Sequence, residues 1–315
     1  MYTFESINKE MLLSMKFATI RFEENVYAGL VKDDRFFAFK DVDPQLPNNM
    51  LNLIEGYERF EGLLVSGLDK ATSMCALSEV QFLPPLPNPR SFRDYMGFEE
   101  HLINSGKRFK RPVEPAWYEM PVFYFSNHNN LLGSGQPLPV QPNSKMPDFE
   151  FEIGFVIGKK GRDIPADKAG DYIFGFTILN DWSARDLQMS EMSVGLGPAK
   201  AKDYATSIGP VLVTKDEVDS YLCDGDPLRY NMTTRLYRNG QLLRENNTRT
   251  IYHTFAAMIE RASQDVDILP GDLFGSGTIG GGTLIEYPEG TSFLGAGDVI
   301  EMEVECLGTL KNIVI

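Results

Sequence analysis

With 315 residues, 43% of them hydrophobic and 23% charged, the chain is long enough for one sizeable domain and a smaller companion, and it contains no apolar run of about 18 residues that would span a membrane. A formal net charge of -14 leaves no basic stripe to neutralise phosphates, so nucleic acid and anionic membranes are not expected partners, whereas a small anionic substrate held by a few local cations remains open. Cys75, Cys223 and Cys306 are odd in number and far apart, so neither a disulfide framework nor a zinc site is expected. They read as small buried hydrophobes, and an opening without an apolar signal segment makes the cytoplasm the expected compartment.

In chain order, residues 16–22, 27–32 and 35–39 are short strand-like pieces separated by polar turns, and 50–66 has helical character. The run Leu83-Pro84-Pro85-Leu86-Pro87-Asn88-Pro89 is stiff and extended, which sets the expected division into a small domain, residues 1–84, and a larger one, residues 85–315. Strand-like segments follow at 122–125, 149–158, 172–180, 208–214, 233–237, 272–275 and 299–304. Asn239-Gly240 marks a tight hairpin, and 250–262 has helical spacing. Strands outnumber helices, which predicts a mostly β (α+β) fold: a strongly curved, mostly antiparallel β domain carrying helices and long loops.

Chemistry concentrates in a few segments. In Asp148-Phe149-Glu150-Phe151-Glu152-Ile153, strand alternation sends Glu150 and Glu152 to one side and Phe149, Phe151 and Ile153 to the other. Alternating glutamates commonly form an exposed acidic face. If they are buried, two like charges demand either a raised pKa or a positive partner, and a hard cation is the simplest one. Asp94 lies seven residues before His101, which sits in a helical context and reads as either a structural histidine or a base. Residues 179–188 close an apolar strand with Asp181, Trp182, Ser183, Arg185, Asp186 and Gln188, where Asp181 is either a helix cap or a site ligand. Lys200 and Lys202 occupy a Gly/Pro-framed loop. Residues 274–286 form a glycine-rich loop suited to close ligand approach or to a sharp turn, and it lacks the spacing of a phosphate loop or a dinucleotide fingerprint.

Asp94 with His101, Glu150-Phe151-Glu152, residues 180–188, Lys202 to Thr206 and Ser276-Gly277-Thr278, taken in that order, resemble the fumarylacetoacetate hydrolase family over about residues 85–310. The resemblance implies a curved mixed β-sandwich or roll of that family's C-terminal type, preceded by a small N-terminal α+β domain. It implies that Asp94, Glu150, Glu152 and Asp181 ligate Mg²⁺, with Ca²⁺ or Mn²⁺ as alternatives, an all-oxygen set suited to a hard cation. It further implies His101 as general base paired with Glu286, Lys202 beside the substrate oxygens, and Tyr124, Arg185, Gln188, Thr206 and Thr278 lining the pocket of a homodimer. Met96 stands where the fumarylacetoacetate-cleaving branch has a tyrosine, and Lys110 stands near its arginine, which alters carboxylate recognition.

The activity implied first is metal-dependent hydrolysis of a carbon-carbon bond in a 1,3-diketo acid such as fumarylacetoacetate or another acylpyruvate, with a place in aromatic amino acid catabolism. The alternative keeps the site and changes the reaction to decarboxylation or isomerisation of a 2-oxo acid such as oxaloacetate. A third reading is a non-catalytic protein with a structural cation.

Overall fold

The computed structural model describes residues 15–226 and 228–315, so the reading of residues 1–9 as free of a signal segment lies outside the described residues. Strands Lys16–Phe22, Asn25–Lys32 and Arg35–Ala38 form an antiparallel meander, as their alternation predicts. The first of them pairs antiparallel with Thr206–Thr214. The sheet continues through Ile173–Asp181, Phe151–Ile157, Leu273–Gly275, Phe92–Tyr95 and Phe123–Phe125. It is mixed, because Leu273–Gly275 runs parallel to Phe92–Tyr95 and Leu131–Leu132 runs parallel to Thr206–Thr214. A separate four-stranded antiparallel sheet is built from Gln241–Asn247, Thr233–Arg238, Val299–Val304 and Gly308–Ile313.

Both faces of the large sheet are apolar. Ile153, Phe155, Ile157, Phe176 and Phe274 on one face pack with Phe255, Met258 and Ile259 of the helix Phe255–Ser263 and with Leu236, Ile300 and Met302 of the second sheet. Phe155 meets Phe255, and separately Phe274, edge-to-face with ring centroids 5.1 Å apart. Each such fully buried side chain contributes about 1.5–3 kcal/mol of transfer free energy. Val156, Phe174, Leu179 and Leu212 on the other face pack under the helices Met50–Glu55 and Tyr57–Leu68. The single helix expected over 50–66 is two, because Gly56, a poor helix former, closes the first and opens the second.

The Asn239-Gly240 turn holds both residues at positive φ, 55° and 77°, as a tight hairpin requires. The helix expected from residue 250 starts only at Phe255, where the Thr254 hydroxyl accepts from the Ala257 N–H at 3.3 Å. Strand Gln241–Asn247 escaped prediction because it is largely exposed and carries no apolar alternation. Cys75 is buried, but Cys223 and Cys306 are only half-buried, which corrects their reading as core residues. No helix among the described residues is long and apolar enough to cross a membrane.

Candidate active site

The register of the sheet brings chemistry to one end of its central strands. Asp181, the last residue of its strand, pairs with Thr206, the first of the next, while Gly275 pairs with Asp94. Glu152 projects from the adjacent Phe151–Ile157 strand. The result is a buried cluster of Asp94, Asp148, Glu150, Glu152 and Asp181 with Arg185 and Lys202, all at most 7% exposed. The exposed acidic face that alternating glutamates commonly form is therefore not what Glu150 and Glu152 make. Asp181 serves this cluster and does not cap a helix; the following helix begins at Arg185.

Two cations answer five carboxylates. Lys202 Nζ contacts Glu150 Oε2 and lies 2.7 Å from Asp181 Oδ2. Arg185 donates through Nε to Asp148 Oδ2 at 2.8 Å, through Nη1 to Glu150 Oε1 at 2.6 Å and Gln188 Oε1 at 2.8 Å, and through Nη2 to the Thr283 hydroxyl at 2.7 Å. Burial opposes ionisation of Glu150, yet Lys202 and Arg185, with a smaller contribution from His101, hold its carboxyl well below the usual carboxylate range. Burial likewise works against the charge on Lys202, and Asp181 and Glu150 more than offset it, raising its pKa.

The other side of the cluster has no cation of its own. Asp94 is pushed well above its ordinary value by burial and then by the charge of Asp181, and Glu152 by burial and then by Asp94. Asp94 Oδ1 finds no donor among the described residues, and Glu152 Oε2 accepts the Gly277 N–H at 2.9 Å. A proton held between the two carboxyls, or a cation, would relieve the repulsion that burial creates there. Gly275 makes their approach possible, since a Cβ there would stand 2.5 Å from Asp94 Oδ1 and 2.8 Å from Glu152 Oε2. The Tyr124 hydroxyl donates to Asp181 Oδ2 at 2.6 Å and lies 3.1 Å from Asp94 Oδ2. Thr206 Oγ1 lies 3.5 Å from Asp181 Oδ1, and Thr278 is buried next to Gly277.

His101 projects from the helix Glu99–Phe109, with Nδ1 2.7 Å from Glu286 Oε1. Glu286 Oε2 accepts from Asn104 Nδ2 at 2.9 Å and from the Gly281 N–H at 2.8 Å. In the tautomer whose Nδ1–H donates to the carboxylate, Nε2 is left as an acceptor.

Asp148 is the functional residue that sequence reasoning missed. It is fully buried, accepts from Arg185, from the Thr283 hydroxyl at 2.6 Å and from the Leu284 N–H at 2.9 Å, and so ties the guanidinium to the turn carrying Glu286. The signal was present, since Asp148, Glu150 and Glu152 form one series at two-residue spacing.

Comparison with known proteins corrects several expectations. The chain is 32% identical over 274 residues to the Xenopus laevis protein named oxaloacetate tautomerase fahd2, mitochondrial, covering 87% of this chain and 80% of that one. Relatives from Bacillus subtilis and Homo sapiens also carry the name oxaloacetate tautomerase. The fumarylacetoacetate hydrolase of Exiguobacterium antarcticum shares the fold, with a TM-score of 0.77 at 23% identity over 96% of this chain and 99% of that one. Likeness at that identity speaks for the fold alone, whereas the nearer relatives are named for a tautomerisation. The expectation of carbon-carbon bond hydrolysis, and of a fumarylacetoacetase in aromatic amino acid catabolism, is thereby overturned. The cytoplasmic expectation is overturned as well, because relatives from Xenopus laevis and Homo sapiens are named as mitochondrial.

The magnesium expectation is also corrected. Among the described residues no group of three or more His, Cys, Asp or Glu side chains is arranged to hold a metal ion, because Lys202 and Arg185 take up the Glu150 oxygens and Lys202 also engages Asp181. A structure of the same fold, maleylpyruvate hydrolase from Sphingobium sp. SYK-6, contains manganese(II) and pyruvate; it has a TM-score of 0.70 at 24% identity, over 96% of this chain and 99% of that one. Residues 90–315 match the profile of the fumarylacetoacetate (FAA) hydrolase C-terminal domain, and with that match, the five ordered motifs and the shared fold, the chain belongs to the fumarylacetoacetate hydrolase family.

Proposed function

We propose that this protein interconverts the enol and keto forms of oxaloacetate or a closely similar 2-oxo dicarboxylate. The observation that carries the reading is the His101–Glu286 pair at 2.7 Å beside the carboxylate and lysine cluster, in a chain whose relatives are named for this reaction. Tautomerisation moves a proton between C3 and the C2 oxygen and needs no water nucleophile. His101 Nε2 takes the C3 proton while Glu286 stabilises the imidazolium that forms; the imidazolium then gives its proton to the C2 oxygen to complete the enol, and the reverse order returns the proton to carbon. The Lys202 ammonium stabilises negative charge on the enolate oxygen, an effect typically worth several kcal/mol in a buried site. Gln188 gives its Oε1 to Arg185 and keeps its amide N–H groups for a substrate carboxylate, with Thr206 and Thr278 as further donors.

The chemistry of the donor set, though not its arrangement around Lys202, suits a divalent cation. Five buried carboxylates against two cations, with Asp94 Oδ1 lacking a donor, make an oxygen-rich, under-neutralised site, and the manganese(II) of the maleylpyruvate hydrolase supports the same reading. With Lys202 drawn away from Asp181, the carboxylates of Asp94, Glu152 and Asp181 would hold the cation, which when bound would supply Lewis-acid stabilisation of enolate charge. The family profile's start at residue 90 supports the division into residues 1–84 and 85–315. Exposed Met192, Val194 and Leu196 support a homodimer, and sedimentation as a 35.4 kDa species at micromolar concentration would discard it.

The test follows enol absorbance as oxaloacetate equilibrates, with the protein as purified, after exhaustive chelation and after manganese(II) is restored. Catalysed equilibration that falls on chelation and returns with manganese supports both parts. Full activity in chelator removes the cation, and no acceleration in any arm removes the tautomerase.

A further inference from the structure

The helix that carries His101 is tied down one residue earlier. Glu100 Oε1 accepts from Arg244 Nη2 at 2.5 Å, and Glu100 Oε2 accepts from Asn246 Nδ2 at 3.0 Å. The same Asn246 nitrogen donates to the Gly280 carbonyl at 2.7 Å. Arg244 and Asn246 stand two apart on Gln241–Asn247, so both leave one face of that strand, which belongs to the second sheet. A Cβ at Gly280 would lie 2.3 Å from Glu100 Oε2, and one at Gly281 would lie 2.8 Å from Arg244 Nε. These glycines, which the sequence offered for a ligand or a sharp turn, admit an ion pair.

The same loop holds the partner of His101. Gly281 donates its N–H to Glu286 Oε2, and Glu286 receives both His101 and Asn104. Glu100 and His101 are consecutive on the helix, while Gly280 and Gly281 are consecutive on the loop. Helix and loop are thus fixed to each other twice, once through Glu286 and once through Glu100. We propose that Glu100, Arg244 and Asn246 form a clamp that sets the spacing of His101 and Glu286, making Arg244 and Asn246 positioning residues that act on proton transfer from the second sheet. The Glu100 and Arg244 side chains are 37% and 42% exposed, and an ion pair so exposed adds little to folding stability, so its effect falls on where the helix rests.

The inference rests on His101 being the proton-transfer group, and two independent readouts separate the two ideas. Hydrogen exchange over residues 99–109 reports the clamp, and kcat and KM for oxaloacetate equilibration report the chemistry. Gly280→Ala keeps every clamp side chain but pushes the Glu100 carboxylate aside; Arg244→Ala removes its main partner. Each should speed exchange over 99–109 and lower kcat by about 10-fold, within the cost of an ångström-scale misplacement, with KM changed by less than about 2-fold. Arg244→Lys should recover most of kcat, and Glu100→Ala combined with Arg244→Ala should lose no more than Glu100→Ala alone, which already frees both partners. Unchanged exchange in both variants overturns the clamp, as does a kcat loss that Lys fails to recover or that in the double variant exceeds the loss of Glu100→Ala alone. Should the unaltered protein turn over no 2-oxo acid, the functional reading falls, and exchange alone decides the clamp in the same two directions.

Discussion

Glu152 leaves a strand paired on both sides, with Ile173–Asp181 along one edge and Leu273–Gly275 along the other, whereas His101 leaves a helix held over the site by side-chain hydrogen bonds from Glu286, Arg244 and Asn246. The strand half of the site is positioned by backbone ladders that fold with the core. Its side chains cannot separate without unfolding the sheet, so like charges are forced together and must be answered by Lys202, by Arg185 or by a shared proton. The helix half can be displaced while the sheet stays intact. One half therefore stores electrostatic cost and the other governs geometry, which, on the proposed tautomerase reading, divides the site into a fixed charge environment and an adjustable base.

That division makes substitutions on the two sides fail differently. Removing the base in His101→Ala should cost about 10²–10⁴ in kcat, the usual range for a general acid–base group, while the unfolding midpoint in urea stays close to that of the unaltered protein. Glu286 keeps Asn104 and the Gly281 N–H, so no buried carboxylate is stranded. A large loss of stability would break the contrast. On the strand side, Asp148→Ala should destabilise by about 3–5 kcal/mol in urea titration, because Arg185 is left buried with Glu150 as its one remaining charged partner. A change below about 1 kcal/mol would show that the charge cluster is not locked into the fold. Asn104→Ala sharpens the contrast at smaller scale: it removes one neutral-to-charged hydrogen bond from the helix half and should lower kcat by several-fold, since such a bond is worth about 1.5–3 kcal/mol at most and Glu286 keeps two others.

The same division decides what could be read from the residues. Strand period places Glu150 and Glu152 together, and it would have placed Asp148 with them; the meander, the Asn239-Gly240 hairpin and most central strands follow from alternation and turn chemistry. Asp94, Asp181 and Lys202 are brought to that cluster by register between strands distant in sequence, which a local pattern cannot supply, so their grouping came from resemblance to a family. The helix half was least legible. Glu100 gives no local sign that it meets Arg244 at a sequence separation of 144, and the Gln241–Asn247 strand presenting Arg244 has no apolar alternation to announce it. Reaction type lay beyond both. A buried base beside carboxylates suits hydrolysis and tautomerisation alike, and the preference for hydrolysis was reversed by the names of relatives.

A pH-dependent contribution on the helix side tests how that half is anchored. His253 Nε2 donates to the Trp117 carbonyl at 2.6 Å, and Trp117 Nε1 donates to the Met96 carbonyl at 2.7 Å, next to the Gly97 from which the chain enters the His101 helix. The rings packed on His253 are Trp117 and Tyr252, and among the described residues no carboxylate acts on it beside burial and the Trp117 carbonyl. Burial lowers its pKa below the ordinary value of about 6.5. The unfolded chain therefore takes up this proton more readily than the folded one, so the contribution of neutral His253 is fully present above about pH 6.5 and declines as pH falls through that value toward the folded pKa. Gln in its place retains a donor for Trp117 but does not titrate. The stability difference between the unaltered protein and His253→Gln should be constant above about pH 7 and move against the unaltered protein by about pH 5, while effects of Asp94 and Glu152, common to both, cancel. A difference that stays flat across that range would mean that the entry to the helix is held without His253, leaving the clamp and Glu286 as its anchors.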